Sequence, residues 1–222
     1  HTFIPSWKKL QVYVSGNYPN FVTAPAARPM VIRDLLSHTS GLTYGFMERT
    51  NVDAAYRRLR VADRDKAGNT LQQMIDTLAE LPLEFSPGTR WNYSVATDVV
   101  GYLVEVISGQ RLDTYLHDQI LAPLGMQDTS FTIAESKLAR LACNYLRQPD
   151  GSLQLIDGPE QSQYRTCTLF SGGGGLLSTA GDYYRFTSML RNRGELDGVR
   201  LLGCKTIELM TRNHLPGGQD LT

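Results

Sequence analysis

The chain has 222 residues, enough for one large domain or two small ones, and 41% of them are hydrophobic, which supplies a sizeable core. Lysine plus arginine and aspartate plus glutamate both number 22, so the formal net charge is zero. That balance leaves no basic footprint for nucleic acid or for an acidic membrane surface. No run approaches the roughly 18 apolar residues of a membrane helix, and no N-terminal signal pattern is present. The chain starts abruptly at His1, and the expectation is a piece of a longer protein. Cys143, Cys167 and Cys204 are odd in number and far apart, with no CxxC or zinc-ligand spacing. They read as buried free thiols.

In chain order, residues 1–28 are irregular or extended. Leu10, Val12 and Val14 alternate with their neighbours and allow a short strand. Ser6 and Lys9 match the loose pattern S-x-x-K, but Pro5 precedes them and no long apolar helix follows. They read as a chance match, with Lys8 and Lys9 on a solvated face. Residues 29–36 predict a helix with Pro29 near its start and Gly41 near its end. His38 lies close to Ser37 and Ser40, yet triad members are brought together by the fold, not by adjacency. A histidine bonded to nearby backbone carbonyls is the expectation. Tyr44 and Phe46 form a loop that could line a cleft. The charge-rich stretch 57–66 reads as exposed. Thr70 caps a helix on which Leu71, Met74, Ile75 and Leu78 share one face, and Pro82 stops it.

Residues 87–95 hold the most chemistry. Pro87-Gly88 is a turn dipeptide, and Trp91 and Tyr93 follow on alternate positions. Val95, Val99, Val100, Leu103, Val104 and Ile107 then recur at helical spacing, closed by Gly109. Tyr93 therefore sits at or just before the first turn of a buried helix, where free N–H groups and the dipole stabilise negative charge. A free tyrosine titrates near about 10, so a base at neutral pH needs roughly 4 kcal/mol of help. One helix end supplies less than that, so a second positive group, such as a lysine, must be close. The competing reading is a packed aromatic whose hydroxyl finds a backbone partner. Residues 87–95 alone leave both open. Trp91 reads as core.

Leu112, Tyr115, Leu116 and Ile120 make another amphipathic helix ending at Pro123, and residues 134–143 a short one. Residues 144–170 are polar and turn-rich, with Asp150-Gly151 as a hairpin turn. Four glycines, from Gly172 to Gly175, let the backbone approach something closely. The G-K-[ST] ending of a phosphate loop is absent, and a link packed under a helix remains the alternative. Residues 182–192 are helical with Tyr183, Phe186, Met189 and Leu190 as their apolar face. Residues 196–199 signal a hairpin, and about 206–212 a last short helix. Six or seven helices with a few short strands make a helix-dominated mixed fold without an evident linker.

Five of these stretches, in this order, resemble the serine β-lactamase and penicillin-binding-protein superfamily, closest to class C β-lactamases and the related carboxylesterases often called family VIII. They are residues 32–42 (Ile-Arg-Asp-Leu-Leu-Ser-His-Thr-Ser-Gly-Leu), 85–89 (Phe-Ser-Pro-Gly-Thr) through Tyr93-Ser94, 123–126 (Pro-Leu-Gly-Met), 173–180 (Gly-Gly-Gly-Leu-Leu-Ser-Thr-Ala) and 196–199 (Leu-Asp-Gly-Val). Each is weak alone; the ordered set is specific. The resemblance implies an α/β (α+β) fold, a helical domain beside an antiparallel sheet with the site between them. Residues 1–222 would then be a partial serine hydrolase domain holding mostly the helical part.

The family's machinery is an S-x-x-K motif, a Y-x-N or S-x-N motif and a K-T-G-like strand, with an oxyanion hole of backbone N–H groups for the acylated serine. Tyr93 matches the tyrosine of the second motif and would move the proton to and from the serine. The lysine of S-x-x-K would be the missing positive group. That motif is expected before His1, and the third beyond Thr222; Lys205-Thr206 is followed by Ile207 and reads as helix. The third position of the tyrosine motif is Val95, where the family has an asparagine that bonds the lysine and the amide carbonyl of a β-lactam side chain. Valine does neither, and unmade buried hydrogen bonds are costly. An ester substrate is thereby favoured over a lactam. Tyr44 falls where esterases of this group often place a pocket aromatic. The expected activity is hydrolysis of short-acyl esters through an acyl-enzyme, by a small-molecule substrate site needing no cofactor and no metal. A β-lactamase or D-alanyl-D-alanine peptidase is the first alternative, and a catalytically inactive interaction module the second. The oligomeric state stays open. So does the compartment: the family's lactamases and penicillin-binding proteins are exported, its esterases are often cytoplasmic, and free cysteines lean toward the cytoplasm.

Overall fold

The computed structural model describes residues 2–64, 66 and 68–218. Its helices pack around one principal core, and its strands form three separate antiparallel hairpins. The first hairpin joins β1 (Gln11–Asn17) to β2 (Asn20–Pro25). It covers the stretch where the sequence allowed only one short strand. Backbone bonds from Tyr13 N–H to the Leu83 carbonyl and from Leu83 N–H to the Gln11 carbonyl, both 2.8 Å, tie it to the loop that leads into residues 87–95. Ser6 and Lys9 lie on a 3-10 turn, Pro5–Lys9, whose Trp7 is buried and donates its indole N–H to the Ile75 carbonyl at 3.2 Å. Lys8 and Lys9 are exposed there.

Helix α1 (Ile32–Leu36) is shorter than residues 29–36. The chain is extended at Val31, and the Asp34 carboxylate caps the first turn by accepting the Val31 N–H at 2.9 Å. Helix α2 (Asn51–Leu59) was not expected. Its apolar residues, Val52, Ala55 and Tyr56, keep helical spacing and are buried, but Arg57 and Arg58 dilute the pattern. Thr50 and Asp53 cap it reciprocally. The stretch 57–66 is consequently exposed only in part: Leu59, Val61, Ala62 and Arg64 are half-buried.

Helix α3 (Leu71–Ala79) follows its sequence pattern. Thr70 accepts the Gln73 N–H at 3.2 Å, Gln73 accepts the Thr70 N–H at 3.1 Å, and Leu71, Met74, Ile75 and Leu78 are buried. Helix α4 (Ala96–Ser108) ends at Gly109, whose φ of 70° is the left-handed cap that glycine adopts at least cost. It buries Val99 and Leu103, with Val95 buried just before its first turn, while Ile107 is exposed. Helix α5 (Leu112–Leu116) passes directly into a π-helical turn, His117–Leu121. Residues 134–143 hold a 3-10 turn, Glu135–Arg140.

The second hairpin, β3 (Asn144–Arg147) and β4 (Leu153–Asp157), turns at Gly151, with a φ of 86°. Helix α6 (Ala180–Arg191) buries Met189 and packs Phe186 and Leu190 onto a smaller core with Leu121, Leu124 and Met126. Tyr183, expected on that face, is exposed. The third hairpin, β5 (Glu195–Leu196) and β6 (Val199–Arg200), turns at Asp197 and Gly198, both at positive φ, the conformation such a tight turn demands. Helix α7 (Cys204–Met210) contains Lys205 and Thr206, so they form no K-T-G-like strand. The three cysteines are free, but Cys143 and Cys204 are exposed and not buried as expected. Among the described residues no helix is long and apolar enough to cross a membrane.

Candidate active site

The segment before α4 is held by alternation. Asn92 and Ser94 point inward and are buried, while Trp91 and Tyr93 between them are 38% and 41% exposed. Asn92 fixes the register: its backbone N–H donates to the His38 carbonyl at 2.9 Å, and its side-chain amide to the Leu42 carbonyl at 2.9 Å and to Glu84 at 3.1 Å. Its amide oxygen accepts from Arg49 at 2.8 Å. Val95 follows, fully buried, with its N–H on the Thr43 carbonyl at 3.2 Å. A short apolar side chain at that position goes into the core, so it contributes no polar group to the face that carries Tyr93. Trp91 is correspondingly not core, because the alternation turns it outward onto the edge of the His38 ring, at 6.2 Å between centroids.

Tyr93 lies in an aromatic cluster. Its ring centroid is 5.0 Å from that of Tyr44, 5.2 Å from His38 and 6.3 Å from Phe46, and Tyr44 stacks on Phe46 at 4.7 Å. The fold thus brings together Tyr93 and Tyr44, which are 49 positions apart in the chain. Among the described residues nothing hydrogen-bonds the Tyr93 hydroxyl and no lysine contacts it. The packed aromatic with a backbone-bonded hydroxyl is therefore not what the structure contains. Nor does the end of α4 serve Tyr93 directly: Asp98 occupies its first turn, and Ser94 Oγ accepts the Ala96 N–H at 3.4 Å.

Asp98 is the residue the sequence reading missed. Its carboxylate is buried and accepts the Tyr44 hydroxyl at 3.1 Å, the Ser171 hydroxyl, and the Gly173 N–H at 3.4 Å. Burial first, then the charge of Asp98 and the hydrogen bond to it, then the nearby Tyr93, push the Tyr44 hydroxyl far above the ordinary tyrosine range. Tyr44 therefore stays a protonated donor, unsuited to act as a base. A signal for Asp98 existed: a carboxylate three positions after Val95 and next to Val99 stands on the apolar face of its helix.

The glycine run meets both α4 and this carboxylate. A Cβ on Gly172 would come within 3.0 Å of Gly101 Cα and N, and closer still to the Thr97 carbonyl oxygen. One on Gly173 would come within 2.8 Å of the Tyr44 hydroxyl and 3.0 Å of Asp98 Oδ2. The link under a helix and the close approach are thus the same feature.

His38 does not bond backbone carbonyls through its ring. It takes a left-handed conformation just past α1, with a φ of 54°. That turns the ring toward α4, where Nδ1 lies 3.3 Å from Ser94 Oγ and Nε2 3.4 Å from Thr97 Oγ1. Burial holds the imidazole below its usual range, outweighing the attraction of Asp98. With the folded value depressed, the unfolded chain binds the proton more readily, so stability is lost as pH falls through the imidazole range. His38→Asn tolerates the left-handed backbone and cannot titrate. The expected result is a melting temperature that falls less steeply between about pH 7 and about pH 5 in the variant than in the parent. Equal slopes in the two proteins would refute a half-buried His38 held neutral by the fold.

The chain matches the family model described as Beta-lactamase over residues 9–220. Protein Rv1367c of Mycobacterium tuberculosis is 38% identical over 216 residues, which is 97% of this chain and 52% of that protein. Esterase EstB of Burkholderia gladioli is 33% identical over 185 residues, covering 76% of this chain and 46% of its own. The unliganded simvastatin synthase of Aspergillus terreus superposes with a TM-score of 0.75 at 28% identity, over 97% of this chain and 51% of that one. The chain spans about half the length of the relatives it matches. With its helices, small antiparallel hairpins and the ordered stretches around Tyr93, the chain belongs to the beta-lactamase family, serine hydrolases that include esterases and acyltransferases.

Proposed function

We propose that the full-length protein carrying this chain hydrolyses short-acyl carboxylic esters through an acyl-enzyme, with Tyr93 as the group that moves the proton. The observation that supports it most is Tyr93 itself: a half-exposed phenol with an uncommitted hydroxyl, on a segment that Asn92 and Val95 fix from beneath. In the reaction, a serine supplied from outside these residues adds its Oγ to the ester carbonyl and its proton passes to the Tyr93 oxygen. That proton then leaves with the alcohol as the ester C–O bond breaks. Water adds to the acyl-enzyme, its proton returns through Tyr93 to the serine, and the carboxylic acid departs. A lysine near the tyrosinate would supply the positive charge that the helix end does not. Val95 favours an ester over a lactam, since a fully buried valine offers no amide to a lactam side chain. The similarity to EstB, whose name is esterase, points the same way.

The test is intact mass after treating the full-length protein with a fluorophosphonate, beside turnover of p-nitrophenyl butyrate and benzylpenicillin. One adduct on a serine, with ester turnover well above penicillin turnover, is expected. Penicillin turnover exceeding ester turnover would transfer the assignment to a β-lactamase. A folded protein with neither adduct nor turnover would leave an interaction module.

A further inference from the structure

Asp98 carries a second conclusion. A carboxylate taken fully out of water is costly unless donors surround it. Asp98 is 1% exposed, and among the described residues no lysine or arginine bridges it. An apolar side chain would fill the same place between Val95 and Val99 at no such cost. What the carboxylate adds is three donors gathered from distant segments, 54 positions away at Tyr44 and 73 and 75 positions away at Ser171 and Gly173. Its place in the first turn of α4 makes the charge tolerable. Tyr93, by contrast, is located by its neighbours' rings. Of these, His38 is set by Ser94 and Thr97, and Tyr44 by Asp98. Phe46 rides on Tyr44.

We propose that Asp98 is a positioning residue for Tyr93: it ties the Tyr44 hydroxyl to the glycine-rich loop, and Tyr44 in turn holds the Tyr93 ring in its working orientation. The proposal rests on the reading of Tyr93 given above. The titratable groups facing Tyr44 are Asp98 and Tyr93, and the Arg57 guanidinium lies one residue away on the Gly45 carbonyl. Removing the tether frees Tyr44 to tilt, and the phenol of Tyr93 moves with it. A displacement of about 1 Å in a reacting group costs up to about a hundredfold in rate.

The experiment compares Asp98→Asn, Tyr44→Phe and the double variant in the full-length protein with p-nitrophenyl butyrate. Asp98→Asn is expected to lower kcat by about a hundredfold while KM stays within about threefold, since the tether acts on a proton-transfer group and not on bulk substrate binding. Tyr44→Phe keeps the ring and cuts only the tether, and is expected to lower kcat about tenfold. Because the link that Tyr44→Phe cuts is one of the three that Asp98→Asn disturbs, the double variant should be no worse than Asp98→Asn alone. Multiplying losses, or an Asp98→Asn enzyme with parental kcat, would overturn the proposal. Should Asp98→Asn fail to fold, Tyr44→Phe decides alone, and parental kcat in that variant refutes the tether. Should the parent show no ester turnover, isotope-labelled tyrosine NMR reads the geometry directly. The Tyr93 ring signal, assigned with Tyr93→Phe, must then shift in Tyr44→Phe and Asp98→Asn alike. An unmoved signal in both sinks the positioning role independently of the activity.

Discussion

Tyr93→Phe in the full-length protein is expected to lower kcat for short-acyl ester hydrolysis by about 10²–10⁴-fold, the range of lost acid–base catalysis. The substitution removes one oxygen and nothing else that the fold uses. The Tyr93 hydroxyl makes no hydrogen bond among the described residues, and the ring contacts to His38, Tyr44 and Phe46 survive in phenylalanine. The melting temperature should therefore stay near that of the parent, which separates this result from a folding defect. KM should change little, because a proton-transfer group acts in the transition state more than in substrate binding. Burst kinetics would locate the loss in acylation or deacylation. Near-parental turnover in a folded variant would remove Tyr93 from the mechanism and leave it a surface aromatic.

Gly172→Ala is expected to destabilise the protein by about 3 kcal/mol, the upper part of the usual overpacking range. The added methyl would meet the Thr97 carbonyl and the Gly101 backbone, neither of which can swing aside as a side chain can. Gly101 is itself closed in by Leu112 and Gly172, so the two glycines form one contact between α4 and the loop. Separating them also draws Ser171 and Gly173 from Asp98, so ester turnover should fall together with stability. Gly174→Ala is the control. A Cβ there meets nothing within 4 Å, and the change should lie within about 0.5 kcal/mol of the parent. Denaturant midpoints of the two variants decide the matter. Equal effects would mean that the run of glycines works through chain flexibility and not through the fit against α4.

The sequence by itself determined the elements whose signals are local. Thr70 with Gln73 and the spacing from Leu71 to Leu78 specify α3, because a cap and an apolar stripe are complete within a few turns. Gly109 specifies the end of α4, and Asp197 with Gly198 the last hairpin, since each rests on the backbone freedom of one or two residues. The ordered stretches from residue 32 to residue 199 also sufficed to place the chain in its family. Helix α2 escaped because Arg57 and Arg58 interrupt its stripe, although Arg57 turns back to Asp53 and the Gly45 carbonyl. Only the tertiary structure decided which face each residue of 91–95 takes, because alternation has two registers and the choice depends on Asn92 finding Leu42, Glu84 and Arg49. The helical spacing could mark Asp98 as a carboxylate on an apolar face, but not the donors that surround it. Its partners Tyr44, Ser171 and Gly173 lie in separate segments, and a buried charge is intelligible only once the donors around it are known.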